Sequence, residues 1–219
     1  LMNYTELVAA IQDYTQNEET SFVSNIPTFV RQSEERLNRS IMVPELRKNV
    51  TGLTSNGSVY LGRPDDFISV FSLAVVDSSG DYSFLIDKDV NFIREVYPNP
   101  RDIGTPKYYG IFGPATANSD ELTFILGPTP DAAYNAELHY YYYPESIVDA
   151  ETSWLGDNFD TVLLYGCLVE AYTFMKGEQD LMVLYDTKYK EALMLLKNLG
   201  DGKQRGDAYR DGQVKLPVR

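Results

Sequence analysis

NFDTVLLYGCLVEAYTFMK, residues 158–176, decides how this chain folds, because it is apolar on nearly every side of a helical projection. A helix without a polar face has to be surrounded, so other helices must cover it, and Gly177 marks its end. One cover follows directly. From Asp180 to Leu199 the residues Leu181, Leu184, Tyr185, Ala192, Leu195, Leu196 and Leu199 fall on one stripe, with Gly200 as the stop, and the pair reads as a helical hairpin. The other covers come from the far end of the chain. Asn3 and Glu6 have capping-box spacing ahead of Leu7, Val8, Ile11 and Tyr14, which predicts a helix over about Tyr4 to Thr15. Asn25 and Pro27 begin a second helix with Ile26, Phe29, Val30, Leu37 and Ile41 on one side, closed by Pro44.

Between these helices, from Glu45 to about Ala150, the pattern changes to short β-type runs: VYLG, FISVFSLAVV, KYYGIF, LTFILG and AELHYYYY. Gly, Pro, Asn and Ser punctuate them, which predicts an antiparallel sheet or small barrel. Two runs end in Gly113-Pro114 and Gly127-Pro128, where proline cannot donate to a ladder and so fixes the strand ends. DKDVNFIREVYP reads as a short helix capped by Asp87 or Asp89 and stopped before Pro98. The expected class is therefore α+β. Residues 1–44 and 151–202 supply a four-helix bundle, 45–150 an inserted antiparallel β domain, and 203–219 an extended C-terminal tail.

Composition narrows the function. No run approaches the roughly 18 apolar residues of a membrane span, and LMNYTELVAAIQDYTQ has neither the basic nor the apolar region of a signal peptide, so synthesis in a cytoplasm is expected. The net charge of -13 argues against a surface that wraps nucleic acid, since that affinity comes from cations on phosphates. The charge is uneven. From Lys203 onward there are five Lys or Arg against two Asp, while the preceding 202 residues hold 14 cations and 30 anions. A basic tail follows an acidic body, and it reads either as a solvated segment or as one that docks on an acidic partner. One cysteine excludes an intramolecular disulfide and a cysteine-rich zinc site, one histidine leaves transition-metal chemistry few ligands, and no metal or cofactor is expected.

Chemistry finds little to work with. Nucleophilic catalysis needs a base beside a nucleophile, yet His139 alternates with tyrosines in a strand and Cys167 lies mid-helix among Leu163, Leu164, Leu168 and Val169, where a thiol is a small hydrophobe. Asp120 with Glu121, or Asp149 with Glu151, could serve a carboxylate-based hydrolase, but they sit in Asn-, Ser- and Asp-rich loops where carboxylates ordinarily stabilise turns. GTPKYYG spaces its glycines wrongly for a phosphate cradle. No catalytic residue is assigned. The tyrosines Tyr140, Tyr141, Tyr142 and Tyr143 remain. Alternate residues of a strand face opposite ways, so Tyr140 and Tyr142 share one side and Tyr141 and Tyr143 the other. With both sides aromatic, one should meet a core and the other a helix, a neighbouring subunit or a sugar.

Taken in order, NYTELVAAIQDYT, GTPKYYGIF, LGPTPDAAYNAELHYYYYPESI and SWLGDNFDTVLLYGCLVEAYTFMK with a closing helix resemble the head-to-tail adaptor, or connector, proteins of tailed bacteriophages, the short-tailed ones in particular. The resemblance spans nearly the whole chain and rests on the ordered set. It implies a virion protein at the head–tail interface: a ring of identical subunits, usually twelve, under the portal protein, carrying the tail nozzle protein below and passing DNA without binding it. It offers no catalytic residues. Contact with the portal is expected from Arg205, Tyr209, Arg210, Val214, Lys215 and Leu216 of the basic tail, and contact with subunits or tail proteins from Tyr140 to Tyr143. The competing readings are a carbohydrate-binding tail or capsid accessory protein, whose aromatic sheet face stacks on sugars, and a tail-associated hydrolase.

Overall fold

The computed structural model describes residues 1–41, 43–114 and 122–205. In chain order the elements begin with α1 (Tyr4–Thr15), α2 (Thr20–Val23) and α3 (Ile26–Ser40), then a 3-10 turn at Pro44–Leu46. The strands β1 (Arg47–Leu53), β2 (Tyr60–Gly62), β3 (Phe67–Val76), β4 (Tyr82–Phe84) and β5 (Ile86–Asp87) follow, with α4 (Val90–Val96) before β6 (Tyr108–Pro114), β7 (Leu122–Gly127) and β8 (Asn135–Tyr142). The chain closes with α5 (Ile147–Ala150), α6 (Trp154–Asn158), α7 (Asp160–Met175) and α8 (Gln179–Arg205). It is a mixed α+β protein in two compact units, one made of Leu1–Glu45 and the chain from Pro144 onward, the other of Leu46–Tyr143. Among the described residues no helix is long and apolar enough to cross a membrane.

In the helical unit α7 packs against α1, α3 and α8. Val162, Leu163, Cys167, Leu168 and Ala171 are all buried, as an apolar helix requires. Leu7 and Ile11 of α1, Val30 and Leu37 of α3, and Tyr189 and Leu196 of α8 are buried in the same unit. Asn3 and Glu6 form the reciprocal capping box that their spacing predicts, satisfying two orphan amides at the start of α1. Gly166 brings α7 close to α3: a Cβ there would collide with Oγ of Ser33 and lie 3.2 Å from the Tyr189 ring. An Arg36–Glu170 ion pair joins the same two helices. Glu34 is buried, and it accepts hydrogen bonds from the Ser146 hydroxyl (2.5 Å) and the Ile147 amide (2.9 Å) at the start of α5. Burial pushes its carboxyl above the usual range, with those two bonds pulling the other way.

Two expectations are corrected here. Leu184 and Leu195 of α8 do not join the core: they are 48% and 66% exposed, beside exposed Val183 and Met194. The helix carries apolar residues on two faces, and the one that packs is centred on Tyr189 and Leu196. Secondly, α8 does not stop at Gly200 but runs on to Arg205. Gly200 and Gly202 both fall inside it, at a cost of about 1 kcal/mol each, and the first residues assigned to an extended tail are helical. At the other hairpin end the left-handed residue is Lys176 (φ 53) rather than Gly177, whose amide donates to the Tyr172 carbonyl.

The β unit consists of two four-stranded sheets, ordered β1-β8-β3-β4 and β2-β7-β6-β5, with every pair antiparallel except β5 with β6. Leu73, Val75, Ala136, Leu138 and Tyr140 of the first sheet meet Leu61, Tyr109, Phe124 and Leu126 of the second in one buried core. Helix α4, capped by Asp89, packs on β6 and β7. Gly110 and Gly127 give it room, since a Cβ at Gly127 would lie 2.7 Å from the Ile93 side chain and one at Gly110 2.9 Å from the Lys88 carbonyl oxygen.

Candidate functional site: an aromatic sheet face

β8 lies second in its sheet, between β1 and β3, and its period of two separates the tyrosines as the sequence requires. Tyr140 points into the core, 3% exposed, with its ring stacked on Phe67 at 5.9 Å. Its hydroxyl donates to Asp66 Oδ1 at 2.7 Å, and burial first, then that carboxylate, pushes the phenol up to about 12. Asp66 also accepts from Lys48 Nζ at 2.8 Å. Burial raises the Asp66 carboxyl, but the bonds from Lys48 and Tyr140 outweigh it and hold the group below the usual carboxylate range. Tyr142 is half-buried on the same side, with Lys48 Nζ 4.0 Å from its ring centre. Tyr143 is half-buried just past the strand, and its amide donates to the Asp66 carbonyl at 2.6 Å.

The opposite face of this sheet is built from cross-strand partners. Arg47, Asn49 and Thr51 of β1 stand beside Tyr141, His139 and Glu137, and Ala74 of β3 links Glu137 to Phe84 of β4. Two irregularities in the β3–β8 register leave Ile68 and Phe71 without partners, and such a bulge re-aims the extra side chain. Phe71 is 48% exposed, with the Arg47 guanidinium 4.1 Å above its ring. The same guanidinium lies 5.0 Å from the Tyr141 ring and donates to the Tyr141 hydroxyl at 2.7 Å. Tyr141 is thus largely buried, and the surface it supports is presented by Arg47 and Phe71. Across the sheet Tyr82 and Phe84, both exposed, stack at 6.2 Å. Between these aromatic groups Glu137 accepts from His139 Nε2 (2.9 Å), from the Tyr82 hydroxyl and from Asn49 Nδ2 (2.8 Å), which together hold its carboxyl below the usual range. The arrangement is a mixed aromatic and polar face, suited to recognition of a partner, and among its described residues no nucleophile stands beside a free base.

The remaining sequence candidates lie apart from it. Cys167 is fully buried in α7, and burial pushes its thiol well up. Asp149 pairs with Arg31 at 2.9 Å in the helical unit, and Asp120 and Glu121 lie outside the described residues. Arg205 is the last residue of α8, while Tyr209, Arg210, Val214, Lys215 and Leu216 lie outside the described residues. Among the described residues no group of three or more His, Cys, Asp or Glu is placed to hold a metal ion. The sequence reading did not find Arg47, Phe71, Tyr82 or Phe84. Arg47 lies in a polar strand and Tyr82 and Phe84 in a three-residue one, and only the register and a bulge in β3 bring Arg47 and Phe71 beside Tyr141.

The family model described as SU10 adaptor protein matches residues 2–216. No curated protein matches the chain.

Proposed function

The chain belongs to the SU10 adaptor protein family, and on that basis we propose that it is a structural protein of a tailed-phage virion, a head-to-tail adaptor without catalytic function. In this reading twelve copies form a ring beneath the portal protein, join the capsid to the tail nozzle and leave DNA a passage. The observation that carries it is the extent of the family match, which takes in both units rather than a single motif. The long helices α1, α3, α7 and α8 serve as the bundle of each subunit. The acidic excess supports passage without binding, because carboxylates lining a channel repel phosphates and leave no adhesive sites.

Two contacts belong to the same proposal. The basic segment with Arg205, Tyr209, Arg210, Val214, Lys215 and Leu216 docks on the portal, as spaced cations with alternating aliphatic residues suit a segment that orders on binding. The β8 tyrosines serve subunit or tail contact through the Tyr141 side, where Arg47, Phe71, Tyr82 and Phe84 are offered, while Tyr140, Tyr142 and Tyr143 fix the strand from beneath and at its end. Electron-microscope images of the protein mixed with portal rings test the reading. Twelvefold density on the portal is expected, and its absence from both portal mixtures and virions would overturn it. Deleting residues 206–219 should leave a folded protein that no longer attaches, whereas attachment that survives moves the docking surface elsewhere. One observation keeps a sugar-binding reading in view: the Tyr82–Phe84 pair is exposed and stacked. Glycan-array binding lost in Phe84→Ala would favour it.

A further inference from the structure

The β unit is open along one side. Among the described residues β1 ends its sheet, with β8 on one edge and no strand on the other, and β2 ends the second sheet. Between these edges runs a groove of about 330 Å³, floored by Leu61, Phe124 and Leu138 of the buried core. The outer edge of β1 carries a row of backbone groups that no described strand pairs with, the feature that lets an extended peptide join a sheet.

Two further features define what fits. Val50 pairs with Leu138 and Gly52 with Ala136, so both β1 positions face the groove, and a Cβ built on Gly52 meets no heavy atom within 4 Å. The glycine leaves space at the lip where an incoming side chain would enter. On the other lip stands Arg63, half-buried, with its guanidinium 4.5 Å from the Phe67 ring centre. Its Nε is buried without a hydrogen-bond partner, and among the described residues no carboxylate pairs with it. In a chain with 32 acidic and 19 basic side chains, a cation that meets no carboxylate among the described residues, inside an apolar groove, is out of keeping with the rest of the surface. Desolvation leaves such a cation short of stabilisation that a carboxylate would restore.

We propose that this groove receives an extended segment of another protein, added as a strand to the free edge of β1, with alternate aliphatic side chains in the groove and a carboxylate on Arg63. The occupant must be acidic at that point. This disfavours the chain's own residues 213–219, whose aliphatic Val214, Leu216 and Val218 are interleaved with Lys215 and followed by Arg219. The proposal does not depend on the adaptor reading, since it follows from the shape and charge of the β unit.

The test uses the full chain and three fluorescein-labelled nonapeptides of alternating valine and threonine, with Asp, Asn or Lys replacing one threonine. Fluorescence anisotropy should show the Asp peptide binding about tenfold more tightly than the Asn peptide, the scale of one charge-assisted hydrogen bond, and the Lys peptide binding more weakly still. Arg63→Gln should make the Asp and Asn peptides equal. Gly52→Leu should abolish binding with the melting temperature unchanged. If that variant does not fold, Val50→Glu at a partly exposed position should instead reject the Asp peptide selectively. Absence of binding, or equal affinity for all three peptides on the parent protein, would overturn the proposal. So would tighter binding in Glu121→Gln, which would mean that the chain's own carboxylate already serves Arg63. Loss of self-association in Gly52→Leu would identify the occupant as a second copy and overturn it equally.

Discussion

Gly166→Ala sets two effects against each other at the contact of α3 with α7. Glycine inside a helix is disfavoured relative to alanine by about 1 kcal/mol, so propensity alone predicts a more stable protein. The structure predicts the reverse. The added Cβ collides with Oγ of Ser33 and lies 3.3 Å from Ser33 Cβ and 3.2 Å from the Tyr189 ring. Ser33 is 0% and Tyr189 4% exposed, so neither can swing into solvent. Relief requires the helices to separate, and overpacking of this kind costs roughly 1–3 kcal/mol. Subtracting the propensity gain leaves a net loss of about 1 kcal/mol, a fall in melting temperature of roughly 3–6 °C for a unit of this size. Thermal unfolding followed by circular dichroism measures it directly. The double variant with Ser33→Ala removes the colliding oxygen and should melt above Gly166→Ala alone, a coupling that separates a local clash from a general defect. If Gly166→Ala by itself melts higher than the parent, α7 and α3 do not approach as described.

Cys167 should resist thiol reagents in the native protein and react once denaturant is added, because it is fully buried and its thiol is held protonated; a stoichiometric native reaction would place α7 at the surface. Glu34→Ala should cost about 2 kcal/mol by leaving the Ser146 hydroxyl and the Ile147 amide unpaired, whereas Glu34→Gln should stay near the parent at acidic pH. The Glu34 carboxyl is raised in the folded state, so the fold binds its proton more tightly than the unfolded chain does. Its contribution is therefore present at low pH and is lost as pH rises from the ordinary glutamate range through the raised value, and melting curves should show Glu34→Gln overtaking the parent across that window. Tyr140→Phe should lose about 1 kcal/mol with the Asp66 bond, measured by urea unfolding.

The helices were legible in sequence where local signals agreed. α1 begins at its capping box, α4 at Asp89, and α7 follows from a run that leaves no polar face. β3, β6, β7 and β8 carry enough aromatic and β-branched residues to be seen. β1 does not: RKNVTGL is a polar edge strand with six of its seven residues exposed, and its strand character comes from pairing with β8. Periodicity also could not choose between the two apolar faces of α8, because which one packs depends on α7 and not on spacing. The separation of Tyr140 from Tyr141 was legible from strand geometry alone. What covers Tyr141 was not, since Arg47 is remote in sequence and Phe71 owes its position to a bulge.

The pairing of Arg47 with Tyr141 has a bearing on the order in which the chain assembles. About 100 residues separate α3 from α5, and closing a flexible loop of that length costs about 4 kcal/mol. Partners in an antiparallel ladder lie about 5 Å apart, so once β1 has paired with β8 the two crossings out of the β unit are neighbours and the long loop has become a short one. A ribosome adding roughly 5–20 residues per second releases the complete β unit before α7 emerges. α1 and α3 therefore wait for their central partner, and the sandwich that folds in the interval has already brought the severed halves of the helical unit to a common point.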